Sequence, residues 1–246
     1  MKIRTIEELT TPGDAVRRFT PWGLSTTHQM TPESSARFIQ SMVGECDLAP
    51  EIPEHVRKHF ERCRMLHTYG IFEEAHEFFT AAAQLVFFTL EAGLGAAFMR
   101  EFPKGVAMIR RKTGETRTIP ADRTFADVFE AFHEGWRVQG DSQLELTDFR
   151  WKHFNGSMKG LLAWARAKGL LYGERNANIE DAMRELRNLG AHPHSLTILT
   201  PVDSARVIRD VAELINHLWG HRTPRGRLYG QTDDNGKEPQ TAFQHD

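Results

Sequence analysis

The sequence predicts a mostly α-helical protein carrying a small inserted β-hairpin. Apolar residues recur at helical spacing over most of 54–220, and one segment, 71–102, is apolar on nearly every side. A single stretch, "VAMIRRKTGETRTIPA", breaks that rhythm, with strand-like runs on each side of Thr113, Gly114 and Glu115.

In chain order, residues 1–50 read as an N-terminal extension. Residues 1–30 are rich in Thr, Pro and Gly and hold no period, apart from a basic pair at Arg17 and Arg18. Thr31 as cap and Pro32 at the first helical position then start a short helix reaching about Val43. A helical domain follows over 51–220, with 103–150 as an insertion holding the hairpin and a helix. From Glu54 the helical period runs on, interrupted only at Gly70. On a wheel of about 100° per residue, the helix over 71–102 gathers Phe72, Ala75, Phe79, Ala83, Val86, Leu90, Leu94 and Ala97 on one stripe. Its opposite side is apolar too, with Phe78, Ala81, Leu85 and Phe88. A narrow polar seam remains, Glu77, Gln84 and Glu91, with Glu73 and Thr80 close by; it faces either a polar cavity or a thin strip of solvent. Beyond the hairpin, "TFADVFEAFHEGW" (124–136) reads as a helix and "GDSQLELTDFRWKHFNG" as a loop with a possible short strand. Helices follow at 157–171, at 178–190 with Glu180 and Asp181 in the first turn, and at 203–220 behind Pro201 and Asp203. Residues 221–246 are polar and without a core-forming period, so they are expected to be a disordered tail.

Composition narrows the function classes. Lys+Arg 31 against Asp+Glu 33 gives a formal charge of -2, which excludes a global basic field, so any nucleic-acid site is a local patch. Two cysteines, Cys46 and Cys63, are too few for a disulfide scaffold or a four-cysteine metal site. No signal peptide opens the sequence, and the expected setting is reducing and cytoplasmic. The apolar stretch 80–98 has the length of a membrane span but contains Gln84 and Glu91, so it is expected to be a core helix with no membrane partner.

The chemically distinctive stretch is "RELRNLGAHPH" (184–194), which places Arg187, Asn188 and His192 around Gly190. A helix terminus alone accounts for every residue: basic groups suit the last turn, Gly190 a cap and Pro193 an exit. A catalytic reading needs the helix to end near Gly190, because on an ideal helix Arg187 and His192 stand about 140° apart.

Arginine, a polar residue, three variable positions and a histidine near the end of a bundle helix resemble the R-x4-6-H motif of the HEPN superfamily, all-helical domains found in many prokaryotic toxins and defence effectors. The similarity spans about 54–220. The resemblance implies an up-down helical bundle acting as a metal-independent endoribonuclease, with no organic cofactor. In that chemistry the ribose 2′-hydroxyl attacks the adjacent phosphodiester and leaves a 2′,3′-cyclic phosphate. His192 is the group that moves protons near neutral pH, Arg187 stabilises the developing phosphorane charge, and Asn188 positions the histidine or a phosphate oxygen. It further implies a homodimer with a composite cleft and an antitoxin or other defence-system partner. From the wheel, Glu91 and also Glu77 are candidates to hold Arg187 in place.

Rival readings remain. The same bundle could be catalytically silent and bind RNA, a nucleotide or a partner protein. The pairs His55/His59 and His217/His221 have one-turn spacing suited to a metal, but neither carries the glutamate of H-E-x-x-H, and Gly220 puts His221 beyond its helix. "RRKTGETR" is a basic hairpin tip that suits either a solvated turn or RNA phosphates. Trp136, Trp151, Trp164 and Trp219 read as core or interface residues rather than stacking platforms.

Overall fold

The computed structural model describes residues 32–71, 77–110, 112–140, 149–191, 199–223 and 226–229. Among them are seven α-helices: α1 (Pro32–Gly44), α2 (Glu54–Tyr69), α3 (Glu77–Arg100), α4 (Phe125–His133), α5 (Met158–Ala167), α6 (Glu174–Ala191) and α7 (Pro201–Leu218). Three short strands, β1 (Val106–Arg110), β2 (Thr116–Ile119) and β3 (Trp136–Val138), form one antiparallel sheet.

The core is built around α3, which packs most extensively on α2 and α7 and also meets α4, α5 and α6. The predicted stripe is the buried one: Phe79, Ala83, Val86, Leu90, Leu94 and Ala97 are all essentially inaccessible, each larger side chain contributing about 1.5–3 kcal/mol. Phe72 and Ala75 of that stripe, and Glu73 beside the seam, lie outside the described residues. Two glycines let neighbours approach closely. A Cβ on Gly93 would stand 3.0 Å from Ile215 Cγ1 of α7, and one on Gly95 would stand 2.8 Å from the Cβ of Phe125 in α4. By length and composition α3 could cross a membrane, yet 67% of that window is buried inside the fold. It sits here as a core helix.

The remaining faces of α3 differ in their surroundings. Its second apolar side is not buried: Phe78 and Phe88 are 39% and 54% exposed, Ala81 is exposed and Leu85 half-buried. The polar seam has mixed surroundings: Glu77 is exposed, Glu91 borders a cleft, and Gln84 between them meets α6. Gln84 donates to the Leu186 carbonyl of α6 at 3.5 Å, and Thr80 accepts from the Leu199 amide at 2.9 Å.

The hairpin forms as expected, with Val106 opposite Ile119 and Ile109 opposite Thr116, closed by Gly114 at φ +72°. Strand β1 alternates, sending Val106 and Met108 into the core. The sheet has a third strand that periodicity did not give. The helix expected over 124–136 ends at His133, and Trp136 begins β3, pairing Met108 with Val138 on the other edge of β1. Gly135 at φ +88° makes the turn. Trp136 is buried beneath the guanidinium groups of Arg110 and Arg117, at 4.9 and 4.4 Å from its centroid, so the basic hairpin caps an indole. Residues 141–148, where a short strand was possible, lie outside the described residues.

Segments near both ends of the chain pack on this core. Helix α1 and the turn after it pack on the fold: Val43, Cys46 and Leu48 join the main core, and Asn216 of α7 binds the Ala49 amide and the Asp47 carbonyl. Thr31 and residues 1–30 lie outside the described residues. The expected tail at 221–246 is packed where it is described. Leu228 and Tyr229 are buried, and the amides of Arg227, Leu228 and Tyr229 all donate to the carboxylate of Glu213, at 2.7, 2.9 and 2.6 Å. Arg227 also pairs with Asp210. Two buried carboxylates, Glu213 and Asp210, hold this segment without an apolar period, which is why hydropathy did not reveal it.

Candidate functional site

Helix α6 carries the motif and begins one turn earlier than the apolar period indicates, at Glu174. Glu180 is therefore not a first-turn acid. It is buried, and Arg166 of α5 grips it through two hydrogen bonds of 2.8 Å, a bidentate pair that ties α6 to α5. Burial pushes the Glu180 carboxyl upward, opposed by Arg166. At its other end α6 runs through Gly190 to Ala191, so Gly190 is inside the last turn and is not a cap beyond it. A glycine costs a helix interior only about 1 kcal/mol, which packing readily offsets. His192 follows Ala191 directly and lies outside the described residues.

Arg187 is 35% exposed and forms an ion pair with Glu91 of α3 at 3.2 Å. The pairing follows from the seam: Glu91 stands two turns beyond Gln84, so both meet the same side of α6. Burial pushes the Glu91 carboxyl above the usual glutamate range, and the Arg187 charge opposes that shift. Asn188 is exposed, its side-chain oxygen 3.5 Å from Arg187 Nη1, the outer limit of a hydrogen bond. Glu77 does not join them. It is exposed in the first turn of α3, about 21 Å along the helix from Glu91, and its place there suits the positive end of the helix dipole.

Arg187 and Asn188 open onto a cleft of about 570 Å³ between α6, α3, α4 and the start of α5. Lys159 and Arg184 line it as well, so among the described residues three cations and one carboxylate, Glu91, border the cleft. Arg184 also pairs with Asp181 at 3.1 Å, while Lys159 is exposed. Ser157 caps α5 by accepting from the Gly160 amide at 3.3 Å, which places the positive end of that helix at the cleft. The R-x4-6-H pattern includes neither Lys159 nor Arg184. Arg184 was legible in principle, since three residues before Arg187 is the same helix face. Lys159 comes from another element and left no sequence signal.

The other histidines do not converge. His221, beyond α7, pairs with Glu51 at 3.0 Å, and His217 stacks on Tyr229 with 3.7 Å between ring centroids. His55 and His59 are exposed on α2. Among the described residues no group of three or more His, Cys, Asp or Glu side chains is arranged to hold a metal ion. Cys46 and Cys63 are buried free thiols. Trp136, Trp151 and Trp164 are core residues, and Trp219 lies under Arg100 at 5.0 Å. Compared with protein-family models, curated proteins and solved structures, the chain matches none.

Proposed function

We propose that this protein is a metal-independent RNA endonuclease of the HEPN type, working in a defence or toxin role through Arg187, Asn188 and His192. The observation that carries the reading is the Glu91–Arg187 pair at the wall of a cleft in which Lys159 and Arg184 also converge. A half-buried guanidinium oriented by a carboxylate is fixed before substrate arrives. Its donors then meet the charge that grows on the phosphoryl oxygens, a stabilisation requiring little reorganisation.

In the proposed reaction the 2′-oxygen forms a bond to phosphorus while the bond to the 5′-oxygen breaks. The proton leaves the 2′-hydroxyl and one is delivered to the 5′-oxygen, giving a 2′,3′-cyclic phosphate and a 5′-hydroxyl. His192 exchanges the proton and Arg187 holds the phosphorane. One chain supplies one such set, and pairing of two α6 helices across a two-fold axis makes the composite cleft. The exposed Phe78, Ala81 and Phe88, with half-buried Leu85 among them, lie beside the seam that meets α6, which supports a contact there.

Purified protein incubated with RNA in EDTA is expected to leave cyclic or 3′-phosphate ends. Arg187→Ala and His192→Ala are expected to lower the rate about 10²- to 10⁴-fold at unchanged melting temperature. Lys58→Ala, on an exposed pair with Glu54, is the control. Cleavage that stops in chelator and returns with zinc, or that persists in His192→Ala, overturns the proposal. RNA retained but never cut is the signature of the second reading, a silent binding module, which the same cationic cleft would serve.

A further inference from the structure

We propose that Phe129 is a stacking platform for one unpaired nucleobase, beside the phosphate held by the cations of the same cleft; this rests on the RNA reading of that site. Helix α4 buries Val128, Ala131 and Phe132 against the core but leaves Phe129 41% exposed. A lone exposed phenylalanine needs no explanation. This one, however, lines the cleft shared with Lys159, Arg184 and Arg187. An aromatic face next to phosphate-binding cations is the arrangement by which single strands are held, the charge tracking the backbone and the ring taking a base.

The ring is also held in place. Gly156 is buried at φ +72°, and a Cβ there would stand 3.1 Å from Phe129 Cδ2 and 2.8 Å from Phe132 Cε2. Backbone therefore lies directly against Phe129, with no room for any side chain at 156. His133 packs T-shaped against the ring at 4.9 Å. A platform braced in this way loses little freedom when a base stacks on it. Because bases in a duplex are already stacked on each other, the site selects an unpaired nucleotide. The residue comes from α4, in the segment inserted into the bundle, so the insertion supplies a specificity element to a site whose charge comes from α6 and α5.

The test uses fluorescence anisotropy with the full chain and three labelled probes: a 2′-O-methyl oligoribonucleotide, which cannot be cleaved by 2′-oxygen attack, its duplex, and an abasic oligomer of equal length. Phe129→Ala is expected to weaken single-strand binding about 5- to 150-fold and to leave the abasic oligomer unchanged. Phe129→Leu, which keeps apolar bulk without a π-face, should behave like Phe129→Ala, and Phe129→Trp should restore affinity. Equal losses on single-stranded and abasic probes, or no loss at all, overturn the stacking site. If Arg187→Ala weakens binding to every probe while Phe129→Ala weakens none, this inference fails and the cationic site stands. Wild-type protein that binds no probe removes both.

Discussion

His67 shows how much a single buried side chain can govern. It is fully buried in α2, its Nδ1 lies 3.1 Å from the Ser204 hydroxyl of α7, and that hydroxyl donates to the Phe79 carbonyl at 2.6 Å. Since the serine has a single hydrogen, Nδ1 carries the ring proton and Nε2 is bare; among the described residues Nε2 finds no partner. Burial lowers the imidazole to about pKa 4. The unfolded chain, with an ordinary histidine near 6.5, therefore binds more protons than the folded one between those values. Stability is full above about pH 6.5, falls as pH drops toward 4, and levels off below. His217, lowered to about 4 by burial beneath Tyr229, adds to the same slope. Urea unfolding at several pH values between 7.5 and 4 should show this fall. His67→Leu, less stable at pH 7.5 for want of the Ser204 bond, should have the shallower slope; an unchanged slope would mean that His67 does not titrate this way. Arg187 at the same scale was legible from its motif, but its partner was only one of two candidates, and the choice of Glu91 over Glu77 required knowing where α6 crosses α3.

Among elements, α3 carries the clearest consequence. Its strongest apolar stripe is buried, while a second apolar strip beside the seam is largely exposed and left for another contact. Phe88 follows Gln84 by four residues and precedes Glu91 by three, which sets it on the helix surface next to the two seam residues that contact α6. If this strip forms the two-fold contact of the proposed composite cleft, Phe88→Asp should convert a dimer into a monomer by light scattering, at nearly unchanged melting temperature, because the side chain is 54% exposed in the single chain. Cleavage should then fall with protein concentration. A wild-type protein that is monomeric and fully active at nanomolar concentration removes the composite cleft.

For the whole molecule, the segment 226–229 closes the structure by polar bonding. Glu213 is buried and its carboxylate serves three successive amides, while Asn176 donates to the Leu228 carbonyl at 3.0 Å and Tyr229 donates to Glu180 at 3.4 Å. Glu213→Ala leaves those amides without their acceptor and should cost about 2–4 kcal/mol, or about 4–16 °C in melting temperature for a chain of this size. Gly226→Ala tests the same closure while keeping the carboxylate, since a Cβ there would collide with Glu213 Oε1 and push the segment away. Thermal unfolding followed by circular dichroism checks both, and two variants as stable as wild type would show that 226–229 is not part of the cooperative fold.

The sequence by itself determined the helices, the hairpin and the buried stripe of α3, because helical and strand periods are local and one strong apolar stripe has a single way to be covered. It also located Arg187, Asn188 and His192 as a motif, and it marked Trp136, Trp151, Trp164 and Trp219 as core or interface residues, the first three of which are buried. Only the tertiary structure decided the rest. It put β3 on the free edge of β1, since a three-residue strand is too short to show a period. It docked 226–229 through carboxylates, because a polar partner has no hydropathy signature. It also gathered Lys159, Arg184, Arg187 and Phe129 around one cleft from three helices, a convergence set by how α4, α5 and α6 pack on α3 and written in no single stretch of chain.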